Sequence, residues 1–152
     1  MKTLFLLISI LAYSMASFNL SAAKPTAILK NLNELRWEHR IIIVNNAENF
    51  VLDPHKIFDK QIPEIKDRDI IWFIQAPNNN KVESNFHGQL HTSLKQQLSS
   101  LTNNPNHRVI LIGKDGEIKS QSTHLSLQKI FTQIDAMPMR IIEMQTNQKL
   151  NR

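Results

Sequence analysis

Histidines and a set of charged residues beside apolar runs are the side chains best able to do chemistry in this chain. His87 and His91 stand four apart, a spacing that brings two imidazoles to one helix face. Two ligands fall short of the three or four a zinc site takes, and Gly88 weakens the turn between them. His39, His55, His107 and His124 are scattered and read mostly as surface histidines. The sequence contains no cysteine, which removes thiolate nucleophiles, redox dithiols, thiolate metal sites and disulfides together. It holds no G-x-S-x-G nucleophile elbow, and Gly88, Gly113 and Gly116 cannot assemble a phosphate-cradling loop. No catalytic, cofactor-binding or metal-ligating set is therefore assigned.

Arg40, Arg68, Asp69, Asp135 and Arg140 flank apolar segments. Charges beside a core need partners, so these five are expected to pair and close the ends of strands and helices. The alternative is an anion pocket built on Arg40, Arg68 or Arg140. Met137-Pro138-Met139 is expected to stop a helix with two apolar plugs. A second candidate is the polar stretch Asn45, Asn46, Ala47, Glu48 and Asn49, whose amides and backbone N–H groups could hold a ligand although none of them is a sulfur nucleophile.

Three continuous apolar runs, Ile41-Ile42-Ile43-Val44, Ile70-Ile71-Trp72-Phe73-Ile74 and Val109-Ile110-Leu111-Ile112, must position these groups. They are rich in β-branched residues and too short for helices, which predicts central strands buried on both faces and mostly parallel. Asp53-Pro54 starts a helix carrying Ile57, Phe58 and Ile62, and Pro63 ends it. Leu90, Leu94, Leu98 and Leu101 form the stripe of a second helix, broken by Asn103-Asn104-Pro105-Asn106. Lys114, Asp115 and Gly116 make a hairpin turn with Asp-Gly as its central pair. Leu127, Ile130, Phe131 and Ile134 mark a final helix ending before Pro138, and Lys24 to Arg36 adds a short leading helix with Leu29, Leu32 and Leu35 toward the sheet. The order β-α-β-α-β-β-α is that of a thioredoxin-like three-layer sandwich, a mixed central sheet with helices on both faces.

With 152 residues, 41% of them hydrophobic and 20% charged, the chain has the balance of one globular domain. Lys2 precedes the apolar run Leu4 to Ala12, and Ser21-Ala22-Ala23 supplies small residues at a cleavage site. Residues 1–23 thus read as a secretory signal peptide, 24–145 as the domain and 146–152 as a polar, frayed tail. The apolar run is shorter than the ~20 residues that cross a bilayer, so no membrane span is expected after cleavage. Removing the segment lowers the net charge of +5 by one unit. Without a basic cluster that charge does not predict nucleic-acid binding. The expected setting is periplasmic or secreted, and the expected partner an envelope or extracellular protein.

Leu111-Ile112-Gly113-Lys114-Asp115-Gly116, followed by Ile134-Asp135-Ala136-Met137-Pro138-Met139-Arg140, resembles the signature of the family called domain of unknown function 4174, or P-DUDES. Trp37 and Arg40 before the first strand, and Asp67-Arg68-Asp69 before the second, extend the likeness over residues 32 to 143. The family occurs in bacterial exported proteins and animal extracellular matrix proteins. The resemblance implies a thioredoxin-like fold in an extracytoplasmic setting and no established activity. Two functions follow as expectations. One is a redox-inert binding or structural module. The other is a non-thiol enzyme whose active site is the loop at residues 45–53.

Overall fold

The computed structural model describes residues 27–45, 50–76, 81–104 and 106–150. The expected signal segment lies outside the described residues, as do Asn46, Glu48 and Asn49 of the candidate loop. Each of the three apolar runs forms a strand. Arg40–Val44 is β2, Ile70–Gln75 is β3 and Val109–Ile112 is β6, and with β4 (Val82–Ser84) and β7 (Ile118–Ser122) at the edges they form a five-stranded sheet of order β4-β3-β2-β6-β7. Alternate residues serve opposite faces, as a two-residue repeat requires. Ile42 and Val44 face a core closed by Phe58, Ile65 and the Leu127, Ile130, Phe131, Ile134 stripe. Ile41 and Ile43 face a second core closed by Leu29, Leu32, Leu35, Leu94 and Leu98. These two cores lie between the sheet and the two outer layers of the expected sandwich.

Only β2 and β3 run parallel in this sheet, whereas β6 is antiparallel to β2 and β7 (Ile118–Ser122) antiparallel to β6. The mostly parallel expectation is corrected, because a run apolar at every position reports burial on both faces and carries no information about direction. The edge strand β4 (Val82–Ser84), antiparallel to β3, is an element the sequence pattern did not mark.

The helices start where prolines and caps allow, and several boundaries move. α1 is Pro54–Asp59 with Asp53 accepting the His55 N–H, but Pro63 lies in the first turn of α2 (Ile62–Asp67) and does not end a helix. A proline lacks an N–H that the first turn would leave unpaired, so it opens helices as readily as it stops them. By the same chemistry Pro138 opens α5 (Pro138–Leu150), after α4 (Leu127–Asp135) has closed at Ala136. The expected frayed tail is therefore helical through Leu150.

α3 is Thr92–Leu101, with the His91 side chain accepting the Ser93 N–H. Leu90 belongs to the short strand β5 (Gln89–Leu90), so His87 and His91 never share a helix face. β5 pairs in parallel with β1 (Ile28–Leu29), which replaces the expected leading helix together with a 3-10 turn at Leu32–Leu35 capped by Asn31. Leu29, Leu32 and Leu35 are buried against the sheet as expected.

The hairpin uses a longer loop than two residues. The Gly116 N–H donates to the Gly113 carbonyl, making Lys114 and Asp115 the central pair, and Gly116 follows at φ +81° with a register shift in the strands beside it. A turn followed by a left-handed glycine and a bulge is a common three-residue hairpin.

Candidate functional site

At the amino ends of β2 and β3 the five expected charged residues come together with four more. Arg40 is 1% exposed. It donates through Nη1 to the Arg68 carbonyl at 3.0 Å and through Nη2 to both Glu143 oxygens at 3.1 and 3.2 Å. Arg68 grips Asp135 with Nε and Nη2, holds Glu64 Oε2 with Nη1 at 2.5 Å, and lies over the Phe131 ring. Arg140 reaches back to the Asp67 carbonyl and carboxylate and to Asp135 Oδ1. Lys114 Nζ bridges Asp69 and Glu143, each at 2.8 Å. Asp69 takes a left-handed φ of +50°.

Sequence position beside apolar runs pointed to Arg40, Arg68, Asp69, Asp135 and Arg140, while Lys114 was read only as a turn residue. Asp67, Glu64 and Glu143 were not marked as partners. Glu143 was hidden by the expectation that the helix ends before Pro138. Had Pro138 been placed in a first turn, Glu143 would have fallen one helical turn after Arg140.

The electrostatics follow from this arrangement. Burial raises the Asp135 carboxyl, but the hydrogen bonds and charge of Arg68, then those of Arg140, outweigh it and hold the group below the ordinary aspartate range. Burial acts against the charge on Arg68, and the bonds to Asp135 and Glu64 outweigh that and raise its pKa above the ordinary arginine value. The carboxylates of α2, α4, α5 and Asp69 hold the arginines and the hairpin's Lys114, so the cluster ties α2, α4, α5 and the hairpin to the start of the sheet.

The opposite end of the same strands is built differently. Open α/β sheets present their working groups at the carboxyl ends of parallel strands. There a cavity of about 390 Å³ is lined by Phe50, Asp53, His55, Ile74, Lys81 and Glu83, with Ala76 completing it. Asp53 Oδ1 caps α1 by accepting the His55 N–H at 3.0 Å. His55 Nε2 lies 3.5 Å from Glu83 Oε2, and Lys81 Nζ lies 2.6 Å from Glu83 Oε1. The Lys81 bond lowers the Glu83 carboxyl most, burial opposes it, and the charge of His55 adds to the lowering. The His55 ring meets Trp72 edge-on, Trp72 stacks on Phe58, and the Arg108 guanidinium lies over Phe50. The lining thus sets the apolar Phe50, Ile74 and Ala76 beside the polar side chains of Asp53, His55, Lys81 and Glu83.

Of the candidate loop, Asn45 is described. Its Nδ2 donates to the Thr102 carbonyl at 3.0 Å, bracing the end of α3. In the sequence Asp53 stands out as a helix cap alone, His55 is one of several scattered histidines, and Glu83 carries no signal. Their meeting depends on β4, whose three residues carry no strand signal. Among the described residues no group of three or more histidines and carboxylates is arranged to hold a metal ion, and no helix is long and apolar enough to cross a membrane.

A mixed five-stranded sheet covered on both faces, with an N-capped helix and no thiol where α1 begins, defines a cysteine-free α/β sandwich of thioredoxin-like class. The family profile described as Domain of unknown function (DUF4174) matches residues 31–143, and the chain belongs to that family. No curated protein and no solved structure matches it.

Proposed function

We propose that this protein is an exported binding module, inert in thiol–disulfide exchange, whose ligand site is the cavity at the carboxyl ends of β2 and β3. Export is supported by the apolar run after Lys2 and the small residues Ser21-Ala22-Ala23. Thiol inertness is supported by the absence of cysteine, since thiol–disulfide exchange passes through a thiolate. The observation that carries the binding reading is the convergence of Asp53, His55, Lys81 and Glu83 over Phe50 and Ile74. Concave sites with an apolar floor and a few polar groups are where small molecules and peptide side chains bind.

The non-thiol enzyme is a second reading, favoured by the approach of His55 to Glu83, which sets an imidazole beside a carboxylate on the cavity lining. The cationic cluster at the other end is assigned to structure, because its guanidinium and ammonium groups are already held by carboxylates.

The test is a backbone-amide shift map of the labelled domain against a fragment library. Hits should perturb Asp53, His55, Ala76 and Glu83 together. Hits confined to the face of α5 or to the hairpin would contradict the assignment. Mass spectrometry of envelope fractions tests export, with a mature amino terminus near Lys24 as the expected result.

A further inference from the structure

Among residues 27–152 the chain has three methionines, Met137 and Met139 at the corner where α4 gives way to α5, and Met144 further along α5. In a chain without cysteine they are the sulfur side chains of the domain. Met137 and Met139 line a cavity of about 410 Å³ whose facing wall carries Arg40, Lys114, Lys119 and Asp115. Met139 is 38% exposed, whereas Met137 is half-buried and packs against the core.

The hydrogen-bond inventory of that wall is unbalanced. An ammonium has three N–H donors. Lys114 uses two, on Asp69 and Glu143, and Lys119 uses two, on Asp115 and Glu117. Each retains one N–H, whereas Arg40 Nε, which has no partner among the described residues, is buried and does not open onto the cavity. The only carboxylate lining the cavity, Asp115, is already bonded to Lys119 and to the Glu117 N–H. Against these spare donors stand two thioethers, which are weak acceptors. A sulfoxide oxygen is a far stronger one.

We propose that Met139 is a methionine-oxidation site, and that the sulfoxide formed there by a peroxide-class oxidant is held by the ammonium groups of Lys114 and Lys119. In the step a sulfur lone pair attacks one peroxide oxygen, and the S–O bond forms as the O–O bond breaks. Sulfur loses two electrons, and the departing hydroxide takes the proton of the transferred hydroxyl and leaves as water. Methionine oxidation ordinarily disrupts packing by placing a polar group among apolar ones. Here the sign is reversed at Met139, because the oxygen arrives beside two ammonium groups that can donate to it, and it stays normal at Met137, which abuts the core. The corner thereby records exposure to oxidant without unfolding, in a form that sulfoxide reductases can reverse.

Hydrogen peroxide titration of the full chain, with peptide mass mapping of each methionine, tests the order of reaction. Met139 should convert about fivefold or more faster than Met137, as its exposure dictates. In a Met137→Leu/Met144→Leu background, peroxide treatment should leave the melting temperature unchanged or higher. Adding Met139→Leu to that background reports whatever the N-terminal methionines contribute. Lys119→Ala should lower the melting temperature of the oxidised form more than that of the reduced form. The proposal is overturned by Met139 converting no faster than Met137, by oxidation at Met139 lowering the melting temperature, or by Lys119→Ala acting equally on both forms.

Discussion

Arg68 and Asp135, 67 residues apart in sequence, meet in a two-pronged contact, Nε to Oδ1 at 3.0 Å and Nη2 to Oδ2 at 2.6 Å. Oδ1 also accepts from Arg140 Nε at 3.3 Å, so one carboxylate joins the end of α2 to the α4–α5 corner. Planar forks of this kind combine geometric specificity with a charge-assisted bond. The cluster thereby fixes where α5 begins.

Removing a member of that junction should expose its coupling. Arg140→Ala is expected to cost about 1–3 kcal/mol, as for a lost hydrogen bond to a charged group. Asp135→Ala strips a partner from both Arg68 and Arg140, and the two losses should be non-additive by about 0.5–3 kcal/mol in a double-mutant cycle. Denaturant melts of the four proteins measure this. Additive losses would mean that the contact at Oδ1 contributes nothing beyond its parts.

Acid should weaken the same junction in a defined window. Because the Asp135 carboxyl is held lower in the folded chain than in the unfolded one, its contribution is full above the unfolded value, about 3.9, and is lost as pH falls through the lower folded value. The stability gap between the parent and Asp135→Asn should stay constant from neutral pH down to about 5 and shrink only below about 4. Urea melts across that range check it. A gap that closes between pH 7 and pH 5 would contradict the assignment.

Asn85 supplies what β3 lacks along its outer edge. Its Oδ1 accepts the Trp72 N–H at 2.8 Å and its Nδ2 donates to the Ile70 carbonyl at 3.0 Å, before β4 takes over from Phe73 onward. Exposed strand edges template pairing with other chains. Asn85→Ala should therefore cost about 1–3 kcal/mol and raise self-association in sedimentation. A variant that melts like the parent and remains equally dispersed would show the edge to be protected by something else.

What the sequence made legible divides along physical lines. Ile41 to Val44, Ile70 to Ile74 and Val109 to Ile112 declare themselves because burial on both faces leaves only apolar residues. Pro63 and Pro138 mislead because a missing N–H suits both the end of one helix and the start of the next. Arg40, Arg68, Asp135 and Arg140 are recognisable as charges beside a core, but Glu143 and Asp67 are partners that only the placement of α5 and α2 brings into range. The pairing of His55 with Glu83 was illegible for another reason, since it spans 28 residues and depends on a three-residue edge strand with no periodicity of its own.

The most direct test of the account is the affinity of one fragment hit for three proteins, the parent, Glu83→Ala and Arg140→Lys, each shown to be folded by its amide spectrum. If the carboxyl ends of β2 and β3 are the binding site and the opposite cluster is structural, Glu83→Ala weakens binding about tenfold, the equivalent of ~1.4 kcal/mol, and Arg140→Lys leaves it unchanged. Binding that survives Glu83→Ala and is lost in a folded Arg140→Lys would contradict the account and place the site at the other end of the sheet.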